Sequence, residues 1–519
     1  MRFRAALYRP AETQRQLLRN YVARNADTLF GRDHGFSEIK SYQEFAQRVP
    51  LNRYEDFKPW IDRIRCGENR VLAAEPVTHL VPTSGSTDAR KLIPFTAALQ
   101  QEFNRAIGPW VVDLAGRYPA MILGPAYWSI SPAMPDAAGE TSAVPIGFED
   151  DAAYLGGIRK RLVNAIMAVP SEMRMVSDME QFRYLTLLCL LRRRDLSFIS
   201  VWHPSFLSLL LDALPAAWDG LLEDIRRGSC RYAKFLPANL LCSLKLRPLP
   251  QLAVQLKKAN PAQPATLWPH LKIISCWGGG HAQLSQTDLA RHFPSTLIQS
   301  KGLLATECVV TIPYGESYPL AITSHFFEFM DEGGQVCLAG ELKDGKTYEV
   351  IVTTGGGLWR YRLGDLVQVA GFVGKTPSLN FLGRAGNISD RCGEKLSENF
   401  VAHAIQIATT GLPSLPRFAL LAPDDSFEGC CYTLYIEGEL VGEVAEKLEK
   451  KLCENIHYAW CRKLGQLQPP RIFNIKNGGY EAYVGRQQLA GKRMGEIKPC
   501  ALSKENGWSQ YFEGRYLIH

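Results

Sequence analysis

The sequence predicts an α/β protein in two parts: a large N-terminal unit of mixed sheets and helices over residues 1–382, and a small, hinged α+β C-terminal domain over residues 383–519. Three observations carry this prediction. Short apolar runs alternate with long helical stretches up to about Ser300, the pattern of an α/β body whose strand-end loops carry ligands. After Phe326 the texture changes to brief strand-like runs divided by Gly, Asp and Lys. Between Phe381 and Asp390, the residues Gly383, Gly386 and Asn387 supply the backbone freedom that a hinge needs.

Each element follows from its own pattern. Residues 11–56 are polar, with Leu17, Leu18 and Tyr21 at near-helical spacing, which predicts surface helices ahead of the core. Residues 78–82, 83–87 and 91–95 read as strand, turn and strand. Residues 96–114 and 178–214 read as helices, 271–277 as a buried strand before Gly278-Gly279-Gly280, and 296–300 as another strand. Runs at 326–329, 335–338, 347–352 and 366–369 close the large unit with a sheet. The small domain is predicted to hold a helix at 397–409, a strand near 431–436 and one amphipathic helix from 441 to 460.

Composition excludes several classes. The chain has 519 residues, of which 46% are hydrophobic and 21% charged, so it can bury a substantial core. Fifty-nine basic against 52 acidic residues give a net charge of +7, but the basic residues fall in short groups such as Arg192-Arg193-Arg194, and no nucleic-acid partner is implied. Thirteen cysteines without a CxxC pair predict a reduced, cytoplasmic setting. The start, Met1 to Pro10, lacks the apolar core of a secretory signal, and the apolar stretch 184–214 is broken by charges and Pro204, so no membrane span is expected. The histidines show no HxxxH or HExxH spacing, which argues against a zinc centre.

Five segments carry chemistry. The turn Thr83-Ser84-Gly85-Ser86-Thr87, with Lys91 after it, can hold phosphate oxygens through backbone amides, hydroxyls and an ammonium, although it lacks the Walker spacing. Read alone, an ordinary Ser/Thr turn on the surface is the favoured reading. Thr306-Glu307 follows a strand and offers the hard oxygens that suit Mg²⁺, or else merely caps that strand. In Tyr361-Arg362-Leu363-Gly364-Asp365 a carboxylate set by a glycine can accept both ribose hydroxyls; the bland reading is a Gly-Asp turn between strands. Arg384 lies at the hinge, and Lys498 lies in a glycine-flanked loop from which it can swing toward developing negative charge.

Taken in order, these segments resemble the acyl-adenylate-forming superfamily of firefly luciferase, acyl-CoA ligases and peptide-synthetase adenylation domains, and within it the auxin-responsive type of acyl-acid amido synthetase in a bacterial-like form. Tyr127-Trp128-Ser129-Ile130-Ser131 and the stretch Gly147 to Gly156 also read like that branch. The resemblance implies an ATP-dependent ligase that adenylates a carboxylic acid and passes the acyl group to an amine, an amino acid by expectation. It implies that Ser84, Gly85, Ser86, Thr87 and Lys91 hold the triphosphate, that Gly279, Tyr361 and Asp365 hold the rest of the nucleotide, and that Glu307 holds Mg²⁺. It further implies that Thr306 and Arg384 serve the phosphates and that Lys498 serves adenylation before the small domain rotates. Tyr127, Trp202 and Phe206 are the expected acyl-pocket residues, the last two assigned to one apolar helix, although aromatic residues at such spacing are also ordinary core. Two departures stand out: Asp88 replaces a common loop glycine, and Leu303 replaces an aromatic ahead of Glu307. They keep open a catalytically silent ligand-binding module, beside an acyl-CoA ligase with a thiol acceptor. A monomer acting on small molecules is the expected state.

Overall fold

The computed structural model describes residues 2–83, 91–129, 142–147, 166–278, 282–384, 388–427, 429–440, 443–490, 492 and 497–517, without the side chains at 282–285, 288 and 388. The chain divides into two compact units. The first comprises residues 1–202, 206–277 and 292–381, and the second residues 203–205, 278–291 and 382–519. The α/β class holds: helices and sheets are interleaved in the first unit, and a separate sheet with its helices forms the second.

The first unit is built on three sheets. Strands β1 (His79–Pro82) and β2 (Leu92–Phe95) form an antiparallel pair, as expected of the two predicted strands, while residues 84–90 lie outside the described residues. Strands β3 (Ala126–Trp128), β4 (Phe198–Ser200), β5 (Ile273–Cys276) and β6 (Leu297–Ser300) form an all-parallel sheet in that order. A third, antiparallel sheet runs in the order β11-β10-β9-β7-β8 from β7 (Phe326–Met330), β8 (Val336–Leu338), β9 (Thr347–Thr353), β10 (Tyr361–Val373) and β11 (Thr376–Arg384).

Three predicted elements are corrected. The stretch 178–214 is not one helical region: helices Met179–Leu191 and Pro204–Asp212 flank β4, whose Ile199 and Ser200 are buried. An apolar run buried on both faces has no period by which strand and helix can be told apart. Trp202 therefore sits just beyond β4 and ahead of the helix that carries Phe206. The predicted single helix over 441–460 is two, Val444–Leu452 and Ile456–Lys463, because Asn455 accepts from the amides of His457 and Tyr458 and starts a new helix. The helices before residue 56 are not only a surface layer, since Leu18, Tyr21, Phe45 and Tyr54 all enter the first unit's core.

The second unit holds a four-stranded sheet, β14 (Phe418–Pro423), β15 (Tyr432–Glu437), β16 (Arg471–Ile475) and β17 (Gly514–Tyr516), after a short pair β12 (Ile388–Ser389) and β13 (Leu396–Ser397). The helix Glu398–Ala408 packs its Val401, Ala404, Ile405 and Ala408 onto this sheet's core. Among the described residues no single helix is long and apolar enough to cross a membrane.

Candidate active site

Thr306 and Glu307 occupy the tip of a tight reversal after β6. Leu304 pairs with Val309, and Ala305 donates to the Cys308 carbonyl at 2.9 Å. Gly302 opens this loop at φ +79, where a side chain would meet the Thr311 carbonyl, and Leu303 N–H donates to Thr311 Oγ1 at 2.8 Å. Leu303 is buried in the first unit's core, so it serves packing there.

Asp365 is displayed by a bulge rather than by a turn between strands. Across β10 and β9, Arg362 stands opposite Ile351 while Leu366 stands opposite Glu349, so four steps on one strand face two on the other. The excess residues, with Gly364 at φ +76, swell the strand between Arg362 and Leu366, where Asp365 lies. Arg362 clamps Glu349 with two hydrogen bonds of 3.0 and 2.6 Å, which holds the base of the bulge. Tyr361 is a core residue, 6.0 Å from the Phe57 ring.

Glu307 and Asp365 are both buried, 4% and 3% exposed. Burial pushes the Cys308 thiol far up, and the charges of Glu307, Asp365 and Glu102 push it further. These carboxylates come from three distant parts of the chain. Glu102 is itself fully engaged: it accepts from Tyr21 OH at 2.6 Å and from Gly355 N–H at 3.0 Å, and it meets His325 Nδ1 at 2.9 Å. Because Val309 N–H donates to His325 Nε2 at 3.2 Å, Nδ1 is the nitrogen that donates to Glu102. A buried relay thus ties the helix Ala97–Arg117 to the loop that carries Thr306 and Glu307. Sequence reasoning missed it: nothing in the spacing of Tyr21, Glu102 and His325 announces that they meet.

Lys91 begins the stretch into β2. Ser84, Gly85, Ser86 and Thr87, with Asp88, lie outside the described residues, as does Gly279. Thr83 N–H donates to the Lys91 carbonyl at 2.9 Å, which closes the hairpin beneath that turn. The Lys91 ammonium stands 5.6 Å from the Tyr54 ring centroid, and Tyr54 oxygen accepts from Leu92 N–H at 2.7 Å.

The expected acyl-pocket aromatics do not share one surface. Tyr127 is completely buried and turns to the sheet face opposite Trp128, near Cys189 of the helix Met179–Leu191. Trp202 is half-buried with its ring 5.5 Å from that of Trp277, and Phe206 is half-buried edge-on to Phe182. In the second unit, Arg384 ends β11 exposed, and Lys498 is exposed with its carbonyl accepting from Tyr483 OH at 2.9 Å. Among the described residues no cluster of three His, Cys, Asp or Glu side chains forms a ready-made metal cage.

Family models match along nearly the whole chain in order: the GH3 family N-terminal domain over residues 1–298, its central domain over 318–384 and its C-terminal domain over 398–507. The chain belongs to the GH3 family. Curated relatives include a probable indole-3-acetic acid-amido synthetase GH3.12 from Oryza sativa subsp. japonica, 27% identical over 96% of this chain and 92% of that one. The Arabidopsis thaliana indole-3-acetic acid-amido synthetase GH3.5 is 25% identical over 82% of this chain and 76% of its own. Among solved structures, the AtGH3.15 acyl acid amido synthetase in complex with 2,4-DB superposes with a TM-score of 0.84 at 22% identity, covering 95% of this chain and 91% of that one, which shows the fold. In GH3 terms Thr306 and Glu307 lie between the matched N-terminal and central segments, while Asp365 lies in the central domain.

Proposed function

We propose that this GH3 protein is an ATP-dependent acid-amido synthetase. A substrate carboxylate oxygen attacks the α-phosphorus of ATP; the new P–O bond forms as the bond to the β-phosphate bridge breaks, giving acyl-adenylate and pyrophosphate. An amine nitrogen then attacks the acyl carbon, the C–O bond to AMP breaks, and the amine loses its proton as the amide forms. The relatives named above join a carboxylic acid in amide linkage, which supports an amino acid as the amine. The observation that carries the reading is that the buried carboxylates Glu307 and Asp365, from a loop tip and a strand bulge, both act on the Cys308 thiol in a chain matched by all three GH3 domains.

Adenylation makes a poor electrophile reactive, and the protein's task is to hold the reactants and to meet charge as it develops. Asp365 accepts from the ribose hydroxyls, with Tyr361 and Gly279 beside the nucleotide. Ser84, Gly85, Ser86, Thr87 and Lys91 cradle the triphosphate, and Thr306 and Arg384 serve its phosphates. Lys498 bridges carboxylate and α-phosphate in the first step and withdraws as the domain over residues 383–519 moves for the second. The acyl body lies near Trp202, with Phe206 as a further proposed contact. Mg²⁺ fits this donor set: Glu307 is a single hard carboxylate, and the ion favours one or two of these completed by phosphates and water. When bound, Mg²⁺ would neutralise triphosphate charge. A cytoplasmic, monomeric enzyme completes the proposal.

The test is a two-stage assay. Acid-dependent exchange of pyrophosphate into ATP, followed by AMP formation that amino acids stimulate and coenzyme A does not, is the expected result. Exchange in which only coenzyme A drives turnover reassigns the acceptor, and no exchange with any acid overturns the reading.

A further inference from the structure

A buried parallel sheet ordinarily carries aliphatic side chains, yet at the C-terminal ends of β4, β5 and β6 this one presents a polar row. Ser200, Ser275 and Gln299 stand opposite one another in register, so their side chains share one face at about 4.8 Å spacing. At one end Gln299 Oε1 accepts from Trp110 Nε1 at 2.9 Å, and at the other Ser200 Oγ accepts from Lys301 Nζ at 2.6 Å. Between them Ser275 Oγ is fully buried with no hydrogen-bond partner among the described residues. Lys301 is 3% exposed, and its ammonium stands 5.7 Å from the ring centroids of both Trp110 and Trp202.

A buried ammonium is an expensive way to fill space, since an apolar side chain of similar length packs there at less cost. The carboxyl edge of an open parallel sheet is also where such folds seat ligands, and the loop bearing Thr306 and Glu307 leaves that same edge. Resting on the ligase reading above, the structure assigns Lys301, with the Ser275 hydroxyl, to the acyl pocket as specificity-determining residues that select carboxylic acids bearing a second, anionic or strongly hydrogen-bond-accepting oxygen group. The Trp110 and Trp202 rings wall the carbon body, and Lys301 meets the distal oxygen. The carboxylate that is activated stays with the Thr306 side of the site.

The experiment compares shape-matched acids by initial-rate pyrophosphate release: adipate against heptanoate, and terephthalate against 4-ethylbenzoate. The oxygen-bearing acid of each pair is expected to have the higher kcat/KM by roughly 10- to 100-fold, the range for one charge-assisted hydrogen bond. Lys301→Met should erase or invert that ratio while leaving the KM for ATP unchanged, which a merely structural lysine would not do. Ser275→Ala removes a hydroxyl with no described protein partner, so it should fold normally and lower the ratio by a smaller factor. It keeps the test open if Lys301→Met does not fold. A parent enzyme that prefers the apolar acids, or a ratio indifferent to both substitutions, overturns the assignment while leaving the ligase reading intact. Pyrophosphate release from no acid overturns both.

Discussion

Asp365 earns its place through its backbone. A carboxylate 3% exposed loses hydration unless it is given partners, and this one sits within the bulge. Asp365→Ala is expected to raise the KM for ATP by roughly 10-fold or more, the worth of lost charge-assisted hydrogen bonds, with little change in the KM for the acid. Saturation kinetics in each substrate check this. The relay through Glu102 makes a second prediction at this scale. Glu102→Leu leaves Gly355 N–H without its acceptor and Tyr21 OH with only the Ser324 carbonyl, so a loss of about 1–3 kcal/mol is expected in a denaturant midpoint. Because His325 then loses the partner that orients it toward Val309, adenylation should slow as well. Asp365, Glu307 and Lys91 were legible from the sequence because each sits in a compact motif. Tyr21, Glu102, His325 and Lys301 were not, because their partners lie far away along the chain.

At the scale of elements, local chemistry decided boundaries and tertiary burial decided type. The strand pair at residues 79–82 and 92–95 and the helix from 97 to 117 are local statements, and both follow the pattern of their residues. Strand β4 is not such a statement: its neighbours β3 and β5 make it a strand, and the same apolar letters suit a helix. Asn455 shows the converse, since a single capping side chain divides what periodicity had run together. Asn455→Ala should cost about 1 kcal/mol, read as a lowered unfolding midpoint. The β10 bulge yields a sharper expectation. Gly364 has open space around it but a φ of +76, so Gly364→Ala brings backbone strain of about 1–2 kcal/mol without a clash. Its distinguishing outcome is a rise in the KM for ATP larger than that stability loss explains, measured beside the Asp365 variant.

For the whole molecule, two units with separate cores predict separable responses. In the second unit Asp424, just past the end of β14, reaches β15 and β17: it accepts from Thr433 Oγ1 at 2.6 Å and Tyr516 OH at 2.8 Å, and also from Ser426 N–H at 3.0 Å. Burial alone would push its carboxyl up, but these donors outweigh burial and hold it below the ordinary value. A depressed carboxyl stabilises the folded state fully above its unfolded value near about pH 4, and that contribution disappears as pH falls through the folded value. Asp424→Asn should therefore flatten the acid limb of the pH–stability curve, followed by Trp508 fluorescence, since Trp508 is buried in that unit. Lys498 belongs to the same scale. Lys498→Ala is expected to slow adenylation by roughly 10²-fold while consumption of preformed acyl-adenylate changes far less, and equal effects on both half-reactions would remove its proposed role.

The sequence by itself determined the α/β class, the family to which the five segments point, and the chemistry each motif can offer, because glycine, hydroxyl and carboxylate spacings act over a few residues. Only the tertiary structure decided that the charges of Glu307 and Asp365 both act on Cys308, that Glu102 and His325 brace the loop carrying Glu307, and that Lys301 lies buried between two tryptophans. The physical reason is range: turn and cap geometry is written in adjacent residues, whereas burial and charge proximity arise between side chains that only packing brings together.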